Sequence, residues 1–563
     1  MKLVVIGGVA GGATAAARAR RLDEHAKIVV FERGEHISFA NCGLPYYIGG
    51  VIKNRDDLLV TTADDFSKRY CIDVRSLSEA VAINRKEKTV VIKNVMTGET
   101  YAEPYDRLIL SPGAEPIRPP IKGIDNELIF HLRNIPDTDR IKNHVDTHHP
   151  KSAVIAGGGF IGLEMAENLV LRGVATTIVE KQEQVMASLD YEMAGLVHAH
   201  LAEHGVTCVL GEAISAFEKK GESLVVKTDN GNVFDCDMVV MSVGVKPERR
   251  LAREAGLEIG DLGGISVNAA MQTSDPDIYA IGDAVEVFDV ITGAATRTPL
   301  AGPANKQGRI AADNAMGRRS LFRGTIGTAI VKIFDLTVAS TGANEKGLVA
   351  REIDFMTSHT HSGSHASYYP GAEIMSVKLL FSPSDGKILG TQIVGFHGVD
   401  KRIDVLATAI SGNMTVYDLE TLELAYAPPY SSAKDPVNIS GFVAANRLKG
   451  DSEAISWNEM AALDPACDVL IDLRNKDELD ESGRIDGAVH IPLDELRSRL
   501  SELDKNKRYI LFCAVGLRGY IGCRILSQHG FDARNLSGGF KTWLGASEKI
   551  MAESCDTPLW RAE

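Results

Sequence analysis

The sequence predicts an α/β protein with two dinucleotide-binding units, followed by an α+β domain and a small C-terminal α/β domain. Two observations support this fold class. A glycine-rich turn between an apolar strand and a helix of small residues occurs twice, and from about residue 325 alternating strands replace that pattern. At 563 residues the chain is also too long for a single hydrophobic core, which favours several domains.

The two glycine-rich units share one design. Residues 3–7 (LVVIG) form an apolar run that enters GGVAGG and a small-residue helix, and the strand KIVVFE follows and ends at Glu32. The second unit, SAVIAGGGFIGLEMAENLVLRGVATTIVE, ends at Glu180. A β-turn-α-β unit with an acid about two dozen residues after the turn is the Rossmann-like pattern of dinucleotide binding.

The glycines of each turn allow a tight bend and a close approach of backbone to phosphate, which the helix N-terminus also favours. The second motif is complete, with Gly157, Gly159 and Gly162. The first has Gly7 and Gly12 but Val9 in the middle position, so its approach to a pyrophosphate differs slightly.

The acids at the ends of the second strands identify the nucleotides. The carboxylates of Glu32 and Glu180 are expected to accept hydrogen bonds from ribose hydroxyls. An acid at 180 disfavours a 2′-phosphate, so NADH is the expected reductant, while the neighbouring Lys181 leaves NADPH open.

Later segments suggest where further functional groups lie. The run TSDPDIYAIGDAVEV reads as a strand ending at Gly282 and Asp283, where a carboxylate suits a sugar-like hydroxyl or is simply a turn residue. In the α+β domain, the segments 364–373 and 426–436 are rich in Tyr and Pro. A linker is predicted at 446–456, before the strand-like runs VLIDLRN, GAVHIPLDEL, YILFCAVGLRG and FDARNLSGG.

Composition limits the function classes. The formal net charge of −14 argues against a general nucleic-acid binder. The eight cysteines include no C-x-x-C pair, so neither a disulfide framework nor a metal site is predicted, and a reducing compartment fits. No run of 18 apolar residues is present, and the glycines near the N-terminus argue against a signal peptide, so a cytoplasmic location without membrane partners is expected.

Together these motifs resemble a known family. GGVAGG, SFANCGLPYY, SPGAEPIRPP, AGGGFIGLE, YAIGDA, SHASYYPG and YAPPYSSAKD look like the coenzyme A-disulfide reductase family, within the pyridine nucleotide–disulfide oxidoreductases. IDLRN, GAVHIP and CAVGLR resemble a rhodanese domain. The whole order is similar to fused reductase–rhodanese proteins, which include NADH-dependent persulfide reductases.

The resemblance implies four domains and a homodimer. They are a discontinuous FAD-binding domain (1–118 and 249–322), an NAD(P)H-binding domain (119–248), an α+β dimerisation domain (323–446) and an α/β rhodanese domain (455–563). The implied flavin-binding residues are Gly7, Gly11, Gly12, Glu32, Arg33, Val81, Ser111, Gly113, Arg133, Asp283 and Ala301. The implied nicotinamide-nucleotide residues are Gly157, Gly159, Phe160, Ile161, Gly162, Glu180 and Gly244.

A single cysteine, Cys42, is the expected redox centre. A second cysteine five residues later would complete a C-x4-C pair, but Tyr47 stands there. With one cysteine the oxidised form must be a mixed species, Cys42–S–S–CoA, Cys42–SSH or Cys42–SOH. The alternative is a buried cysteine that packs as a small hydrophobe.

Substrate contacts are expected on the first helix and in the tyrosine-rich segments. In a helix over 11–22, Thr14, Arg18 and Arg21 share one face whereas Arg20 points elsewhere; guanidiniums suit phosphates, although arginines also favour a helix C-terminus. The resemblance implies that coenzyme A, bound or as substrate, is contacted by Thr14, Arg18, Arg21, Ser38 and Asn41, with Lys434 a further candidate across the dimer. It also implies that Tyr368 and Tyr426 reach the partner's active site as hydrogen-bond or proton donors; on strand propensity alone they are packing residues.

The C-terminal thiol lies in a short anion-binding loop. YILFCAVGLRGY places Cys513 at a strand end, before Gly516, Arg518 and a helix, and such a loop can hold a persulfide. The anion-binding loops of phosphatases have a related shape but are one residue longer, so phosphate hydrolysis is not expected. Asp472 and Arg474 match rhodanese framework positions, and the alternative is an inactive module used only for binding.

Three functions follow from these assignments. The leading one is an FAD-dependent, NAD(P)H-dependent reductase of coenzyme A disulfide, coenzyme A persulfide or polysulfide at Cys42, with Cys513 handling sulfane sulfur. The second is an NADH oxidase or peroxidase that cycles Cys42 through sulfenic acid. The third is a non-enzymatic redox-sensing protein that docks through its rhodanese domain.

Overall fold

A computed structural model of the chain describes residues 1–553; the predicted domain end at 563 and Cys555 lie outside this range. The helices are α1 Ala10–Leu22, α2 Leu44–Gly49, α3 Ala63–Tyr70, α4 Ile135–His148, α5 Phe160–Val170, α6 Tyr191–Glu203, α7 Arg250–Glu254, α8 Ala301–Ala315, α9 Glu345–Val349, α10 Val399–Ser411, α11 Val416–Thr421, α12 Pro436–Leu448, α13 Lys476–Ser482, α14 Leu493–Leu496, α15 Leu517–Gln528 and α16 Gly539–Glu553.

The strands are mostly short, and they are numbered in chain order. They are β1 Lys2–Ile6, β2 Lys27–Phe31, β3 Asp73–Arg75, β4 Ser78–Asn84, β5 Thr89–Asn94, β6 Thr100–Pro104, β7 Arg107–Leu110, β8 Ala114–Pro116, β9 Ile129–His131, β10 Ser152–Ala156, β11 Ala175–Glu180, β12 Thr207–Leu210, β13 Ile214–Lys220, β14 Ser223–Thr228, β15 Val233–Cys236, β16 Met238–Met241, β17 Val245–Pro247, β18 Ile265–Ser266, β19 Ile278–Ala280, β20 Val285–Phe288, β21 Ala295–Thr296, β22 Ala329–Ile333, β23 Leu336–Gly342, β24 Met356–Gly363, β25 Ile374–Phe381, β26 Ile388–Gly395, β27 Ala454–Ile455, β28 Asp468–Asp472, β29 Val489–His490, β30 Arg508–Phe512 and β31 Asp532–Leu536.

The chain divides into two compact units. The first unit contains Met1–Val185 and Gly205–Gly327, and the second contains Met186–His204 and Thr328–Glu563. Residues 186–204, which lie inside the predicted nicotinamide domain, therefore belong to the second unit. No helix in the described part of the chain is long and apolar enough to cross a membrane.

Two parallel five-stranded sheets form the centre of the first unit. Their strand orders are β19-β7-β1-β2-β3 and β12-β11-β10-β16-β9. In the first sheet, Val4 of β1 pairs with Val29 of β2 and Leu108 of β7, and the apolar run of β1 is buried in a core that also contains Val90 and Ile92 of β5. Each glycine-rich turn lies at the carboxyl end of a central strand, where doubly wound folds bind ligands.

Small antiparallel sheets accompany the two parallel sheets. The sheet β4-β5-β6 follows β3 along the chain, and the sheet β13-β14-β15 follows β12. The pairing of β8 with β17 joins the segments that leave β7 and β16. No sequence pattern predicts the two hairpin sheets, because their strands are only partly buried.

The second unit contains the two C-terminal sheets. The antiparallel sheet β22-β23-β26-β25-β24 packs against α10 and α12, and the parallel sheet β27-β31-β30-β28-β29 packs against α15 and α16. The linker predicted at 446–456 is too long: α12 continues to Leu448, and Ala454 already pairs with Asn535 of β31.

Candidate functional site: two nucleotide turns and two thiols

The first glycine-rich turn passes very close to the chain segment that follows β7. Gly7 follows β1 with φ +93°, and a Cβ at this position would lie 2.1 Å from the carbonyl oxygen of Ser111, so only glycine fits. Gly11 and Gly12 lie in the first turn of α1, and Ser111 follows β7.

The second turn repeats this geometry. Gly157 follows β10 with φ +105°, and α5 begins with Phe160, Ile161 and Gly162. A Cβ at Gly159 would meet no heavy atom within 4 Å, so the space in front of this turn is open. This open space leaves room for a dinucleotide phosphate at the second turn.

The two terminal acids are held in the same way. Glu32 accepts hydrogen bonds from the backbone N–H groups of Gly8 and Gly34, each 2.8 Å long. Glu180 accepts them from Gly158 at 2.7 Å and Gln182 at 2.8 Å. A carboxylate oxygen has more than one lone pair, so both acids retain the capacity to accept a ribose hydroxyl.

Two of the predicted flavin-site arginines come together around one acid. Arg33 and Arg133 lie 3.2 Å and 3.6 Å from Glu115, a residue that the sequence analysis does not identify. Asp283 follows Gly282, whose φ of +77° places the carboxylate at the carboxyl end of β19. Burial raises the pKa of Asp283, and the positive charge of Arg133 partly opposes that shift.

The remaining predicted cofactor residues lie on separate elements of the first unit. Gly113 and Gly244 have φ values of +74° and +102°, in the segments that precede β8 and β17. Val81 lies in β4, and Ala301 is the first residue of α8. Backbone turns and helix starts are positions where a ligand can approach the main chain closely.

Cys42 lies in a short 3₁₀ turn, Asn41–Gly43, directly before α2. The residue is exposed, and all seven cysteines in residues 1–553 are free. Partial burial of the thiol, followed by the charges of Glu164 and Asp283, raises its pKa. Tyr47, at the position of a missing second cysteine, instead has Lys142 Nζ 5.6 Å from the centre of its ring. The thiol is therefore accessible to a substrate and has no disulfide partner within residues 1–553.

Glu164 is the acidic neighbour that sequence reasoning missed. It lies on α5, two residues after Gly162, and its Oε1 accepts a 3.4 Å hydrogen bond from the hydroxyl of Tyr46. Burial raises the pKa of Glu164 to about 7, and the nearby Glu167 adds to this effect. The pattern FIGLE contained the residue, but only the fold reveals that it lies near Cys42.

This arrangement leads to a prediction for the reactivity of Cys42. Glu164→Gln removes a negative charge that raises the pKa of the thiol, so the midpoint of the pH profile should move to lower pH. The difference should grow above pH 7, where Glu164 becomes charged because its own pKa is about 7. The measurement is the rate of iodoacetamide alkylation of Cys42 as a function of pH.

Glu87→Gln is the matched control, because Glu87 is exposed. Superimposable alkylation profiles for Glu164→Gln and the unaltered protein would contradict the predicted coupling between Glu164 and Cys42.

The arginine stripe of α1 is only partly open. Arg18 donates a 2.7 Å hydrogen bond to Asp313 of α8, and Thr14 donates one of 2.5 Å to Asn305 of the same helix. Arg21 is exposed. Arg20 is buried and donates to backbone carbonyls, including that of Tyr70 at 2.8 Å, so it points away from this face as expected. Arg21 is therefore the guanidinium most accessible to a phosphate on this helix.

Two further predicted contacts flank Cys42. Asn41 begins the same 3₁₀ turn and is exposed. Ser38 has φ +49°, and its N–H donates a 3.0 Å hydrogen bond to the carbonyl of Gly8 in the first glycine-rich turn. The SFANC segment is thereby fixed to the turn that is expected to hold the flavin nucleotide.

In the second unit, the two predicted tyrosines meet. The hydroxyls of Tyr368 and Tyr426 lie 2.7 Å apart and both side chains are exposed. This hydrogen bond raises the pKa of Tyr368. Lys434, the further phosphate candidate, lies in the loop after Tyr426 and is also exposed.

A buried arginine that sequence reasoning missed holds both tyrosine segments. Arg402 of α10 donates to the carbonyl of Ser364 at 3.0 Å and to the carboxylate of Asp435 at 2.9 Å. It also donates to Ser431 Oγ at 3.1 Å. Because its partners come from both loops, Arg402 fixes the tyrosine pair, and no local pattern in its sequence reveals this role.

In the Cys513 loop, a backbone N–H group of the loop is directed at the thiol sulfur. Cys513 is fully buried at the end of β30, and the backbone N–H of Gly516, which has φ +98°, donates to its sulfur at 3.2 Å. Arg518 forms a bidentate pair with Glu478 at 2.5 Å and 2.6 Å. The framework pair is also present, because Arg474 is fully buried and binds Asp472 at 2.7 Å.

The segment after β31 is hydrogen-bonded to the backbone of this loop. The N–H of Phe540 donates to the carbonyl of Cys513 at 2.8 Å, and that of Lys541 donates to Ala514 at 3.0 Å. Two histidines of β24 contact the same segment: His359 lies 3.0 Å from Ser537 Oγ, and His361 lies 2.8 Å from Thr542 Oγ1. Burial lowers the pKa of His361 to about 3, so this contact involves a neutral ring.

A buried cluster of charged side chains includes residues of β24 and β25. Lys378 of β25 is fully buried and lies 2.9 Å from Asp190 and 2.6 Å from Glu345, and it also pairs with Glu192. Glu192 in turn accepts a 2.8 Å contact from His359. Lys378 and His359 hold the pKa of Glu192 well below its usual range.

Comparison with known families agrees with this architecture. Residues 1–308 match the family described as pyridine nucleotide-disulphide oxidoreductase, residues 328–436 match its dimerisation domain, and residues 456–546 match a rhodanese-like domain. The resemblance and the fold class predicted from the sequence are therefore confirmed.

Three relatives illustrate the similarity. The coenzyme A disulfide reductase of Staphylococcus haemolyticus is 37% identical over 444 residues, covering 79% of this chain and 99% of the relative. The crystal structure of reduced CoADR-RHD from Bacillus anthracis has a TM-score of 0.95 at 52% identity, covering 97% of this chain and 98% of that one. An NAD-dependent persulfide reductase from A. fulgidus has a TM-score of 0.91 at 40% identity, covering 96% and 100%.

Two glycine-rich turns with matching acids, a free thiol beside the first of them and the extent of these matches lead to one conclusion: the chain belongs to the pyridine nucleotide-disulphide oxidoreductases and carries a rhodanese-like domain after its dimerisation domain.

Proposed function

We propose that this chain is an FAD-dependent, NADH-dependent reductase of coenzyme A disulfide and coenzyme A persulfide, working as a homodimer. The observation that carries the proposal is Cys42, an exposed thiol with no cysteine partner in residues 1–553, so the sulfur that it binds must come from a substrate. Relatives described as a coenzyme A disulfide reductase and a persulfide reductase support this substrate class.

The residues of the first unit fit the two nucleotides. We assign the flavin nucleotide to the turn at Gly7 with Glu32, and the nicotinamide nucleotide to the turn at Gly157 with Glu180. When bound, these groups supply a two-electron reduction. Glu180 supports NADH over NADPH, because an acid at this position disfavours a 2′-phosphate.

Cys42 performs the sulfur chemistry. Its thiolate attacks one sulfur of coenzyme A disulfide; the substrate S–S bond breaks, a Cys42–S–S–CoA bond forms, and coenzyme A thiolate leaves and takes up a proton. Two electrons from NADH then break the mixed disulfide, releasing the second coenzyme A and restoring the Cys42 thiolate. With coenzyme A persulfide, the Cys42 thiolate attacks the inner sulfur, which is bonded to carbon. The same Cys42–S–S–CoA bond forms, and hydrosulfide leaves instead of coenzyme A thiolate.

Other side chains position the substrate. Arg21 and Lys434 are exposed cations suited to the phosphates of coenzyme A, and we assign Arg18, Thr14, Ser38 and Asn41 to the same ligand. The paired hydroxyls of Tyr368 and Tyr426 are proposed to donate a proton or hydrogen bond to the departing sulfur of the partner's site.

The direct test is a steady-state assay of purified protein with NADH and each of five acceptors: coenzyme A disulfide, coenzyme A persulfide, polysulfide, oxygen and hydrogen peroxide. We expect turnover on the coenzyme A substrates and bleaching of the flavin by NADH. Flavin bleaching with turnover only on oxygen or peroxide would support an oxidase instead, and no flavin bleaching would overturn the proposal altogether.

The rhodanese-like domain is proposed to transfer sulfane sulfur through Cys513. We expect Cys513→Ser to lower thiosulfate-to-cyanide sulfur transfer on the order of 10³-fold, because the nucleophile that carries the sulfur is lost. NADH-dependent reduction of coenzyme A disulfide should remain unchanged, because that reaction uses Cys42.

Cys467→Ser is the control for this test, since Cys467 is an exposed thiol of the same domain. Full sulfur transfer by the Cys513→Ser protein would refute the assignment of Cys513.

A further inference from the structure

Two histidines and an aspartate of the second unit converge at a place that the reductase and sulfur-transfer chemistry does not use. His200 lies in the last turn of α6 and His204 directly follows that helix, so the two rings are four residues apart on one helix face. Asp335 lies in the two-residue turn between β22 and β23. These residues are distant in sequence, which is why the sequence analysis predicts no metal site here.

The distances between their polar atoms match a coordination shell. Asp335 Oδ1 lies 3.0 Å from His200 Nε2 and 3.9 Å from His204 Nε2. One ligand atom from each residue lies within 4.8 Å of the others. Around a tetrahedral metal ion with bonds of about 2.0–2.1 Å, neighbouring ligand atoms are about 3.3 Å apart. A shift of the half-buried His204 ring toward Asp335 would bring all three into this range.

Hydrogen bonding leaves the correct nitrogen atoms available. The Nδ1 of His204 lies 2.9 Å from the backbone carbonyl of His200. A ring that donates through Nδ1–H presents the lone pair of Nε2, which is the usual arrangement of a metal-bound histidine. His200 Nε2 is buried and, despite its short distance to Asp335, makes no aligned hydrogen bond to a described residue.

The surroundings keep these groups ready to bind a cation. Burial lowers the pKa of His200 and the adjacent His204 lowers it further, while the charges of Asp335 and Glu203 oppose that shift. The rings also have fixed neighbours, because His204 stacks on Phe334 with 4.1 Å between ring centres and Phe396 lies 5.8 Å from His200. Phe334 has φ +56°, a rare conformation for a bulky residue, and it precedes Asp335 in the turn.

We propose that His200, His204 and Asp335 form a binding site for Zn²⁺ or a similar divalent transition-metal ion, with a fourth position open to water. Two imidazoles and one carboxylate are the donor set that such borderline ions prefer, whereas Ca²⁺ and Mg²⁺ require oxygen ligands. The bound ion joins the end of α6 to the β22–β23 hairpin and so stabilises the folded second unit.

A second histidine pair provides a matched comparison. His144 and His148 are also four residues apart, on α4, and their rings stack with centres 4.7 Å apart. No carboxylate completes that pair, and the His200–His204–Asp335 group is the one metal-ligand cluster found in the described residues. The carboxylate from a second element is therefore what distinguishes the proposed site from an ordinary helical histidine pair.

The test uses the full-length, flavin-loaded protein with its accessible thiols alkylated, dialysed against Zn²⁺ at neutral pH. Bound zinc is counted per chain by elemental analysis for the unaltered protein, His204→Ala, Asp335→Asn and the control His148→Ala. We expect the unaltered protein and His148→Ala to retain one zinc ion more per chain than His204→Ala. Asp335→Asn, a nearly isosteric change at an exposed turn, should weaken binding at least about tenfold.

Thermal unfolding gives a second measurement. Zn²⁺ should raise the Tm of the unaltered protein and of His148→Ala, but not that of His204→Ala, because only a folded site binds the ion. Equal zinc content in all four proteins, or an equal loss in His148→Ala, would overturn the proposal. Reductase activity plays no part in either measurement, so the result is independent of the proposed function.

Discussion

Cys42→Ser is expected to reduce kcat/KM for NADH-dependent reduction of coenzyme A disulfide on the order of 10³-fold or more. A serine hydroxyl cannot form the mixed disulfide with coenzyme A, so the step that binds substrate sulfur covalently is lost. The binding turns at Gly7 and Gly157 are unaffected, and flavin content and reduction of the flavin by NADH should therefore remain normal. The assay is steady-state oxidation of NADH with each sulfur acceptor.

Cys71→Ser is the matched control. Cys71 is another exposed thiol of the first unit, and it lies at the end of α3. Its replacement should leave the rates unchanged. If Cys42→Ser retained full activity on every sulfur acceptor, the single-cysteine mechanism would be wrong, whatever the identity of the preferred substrate.

Lys378→Met is expected to destabilise the second unit by about 3–5 kcal/mol, because removing one partner of a buried ion pair leaves uncompensated charge. The lysine lies within hydrogen-bonding distance of Asp190, Glu192 and Glu345, and its side chain is fully buried. The measurement is urea unfolding followed by the fluorescence of Trp457 and Trp543, which are buried in the rhodanese-like core.

Lys476→Met provides the comparison for this change, since Lys476 is an exposed residue at the start of α13. A surface change of this kind should alter the unfolding free energy by no more than about 0.5 kcal/mol. Equal midpoints for the two variants would show that the buried cluster contributes nothing to the stability of the unit.

The sequence predicted much of the fold because the central elements carry strong local patterns. One example is the β-turn-α arrangement predicted from the apolar run of β1, the glycine turn and the small residues of α1. The structure has β1 and α1 in this order. The sequence does not predict β24, because its MTSHTHSG pattern is polar although half of its residues are buried. Its histidines are satisfied by Ser376, Ser537 and Thr542, which only the tertiary fold brings near.

The candidate site was predictable to a similar extent. Residues within motifs, such as Cys42, Glu180 and Cys513, could be singled out as candidates because the chemistry proposed for them depends on a local turn. Glu164, Glu115 and Arg402 could not, because each acts on residues from another segment of the chain. The ion pair of Arg18 with Asp313 could not be predicted either, because the two residues are far apart in the sequence.

The assignment of residues 186–204 to the second unit affects how this chain can be divided. The polypeptide passes between the two units at three points, near residues 185, 204 and 327. Within the second unit, α6 packs so closely on α16 that a Cβ at Gly195 would lie 1.8 Å from the carbonyl oxygen of Gly545. A fragment ending near residue 327 would retain α6 but lose Lys378 and α16, exposing the acids and apolar surface that they cover. The rhodanese-like domain therefore cannot be separated at its boundary without exposing the surface that it shares with α6. Truncated proteins and domain exchanges should keep α6 together with α16.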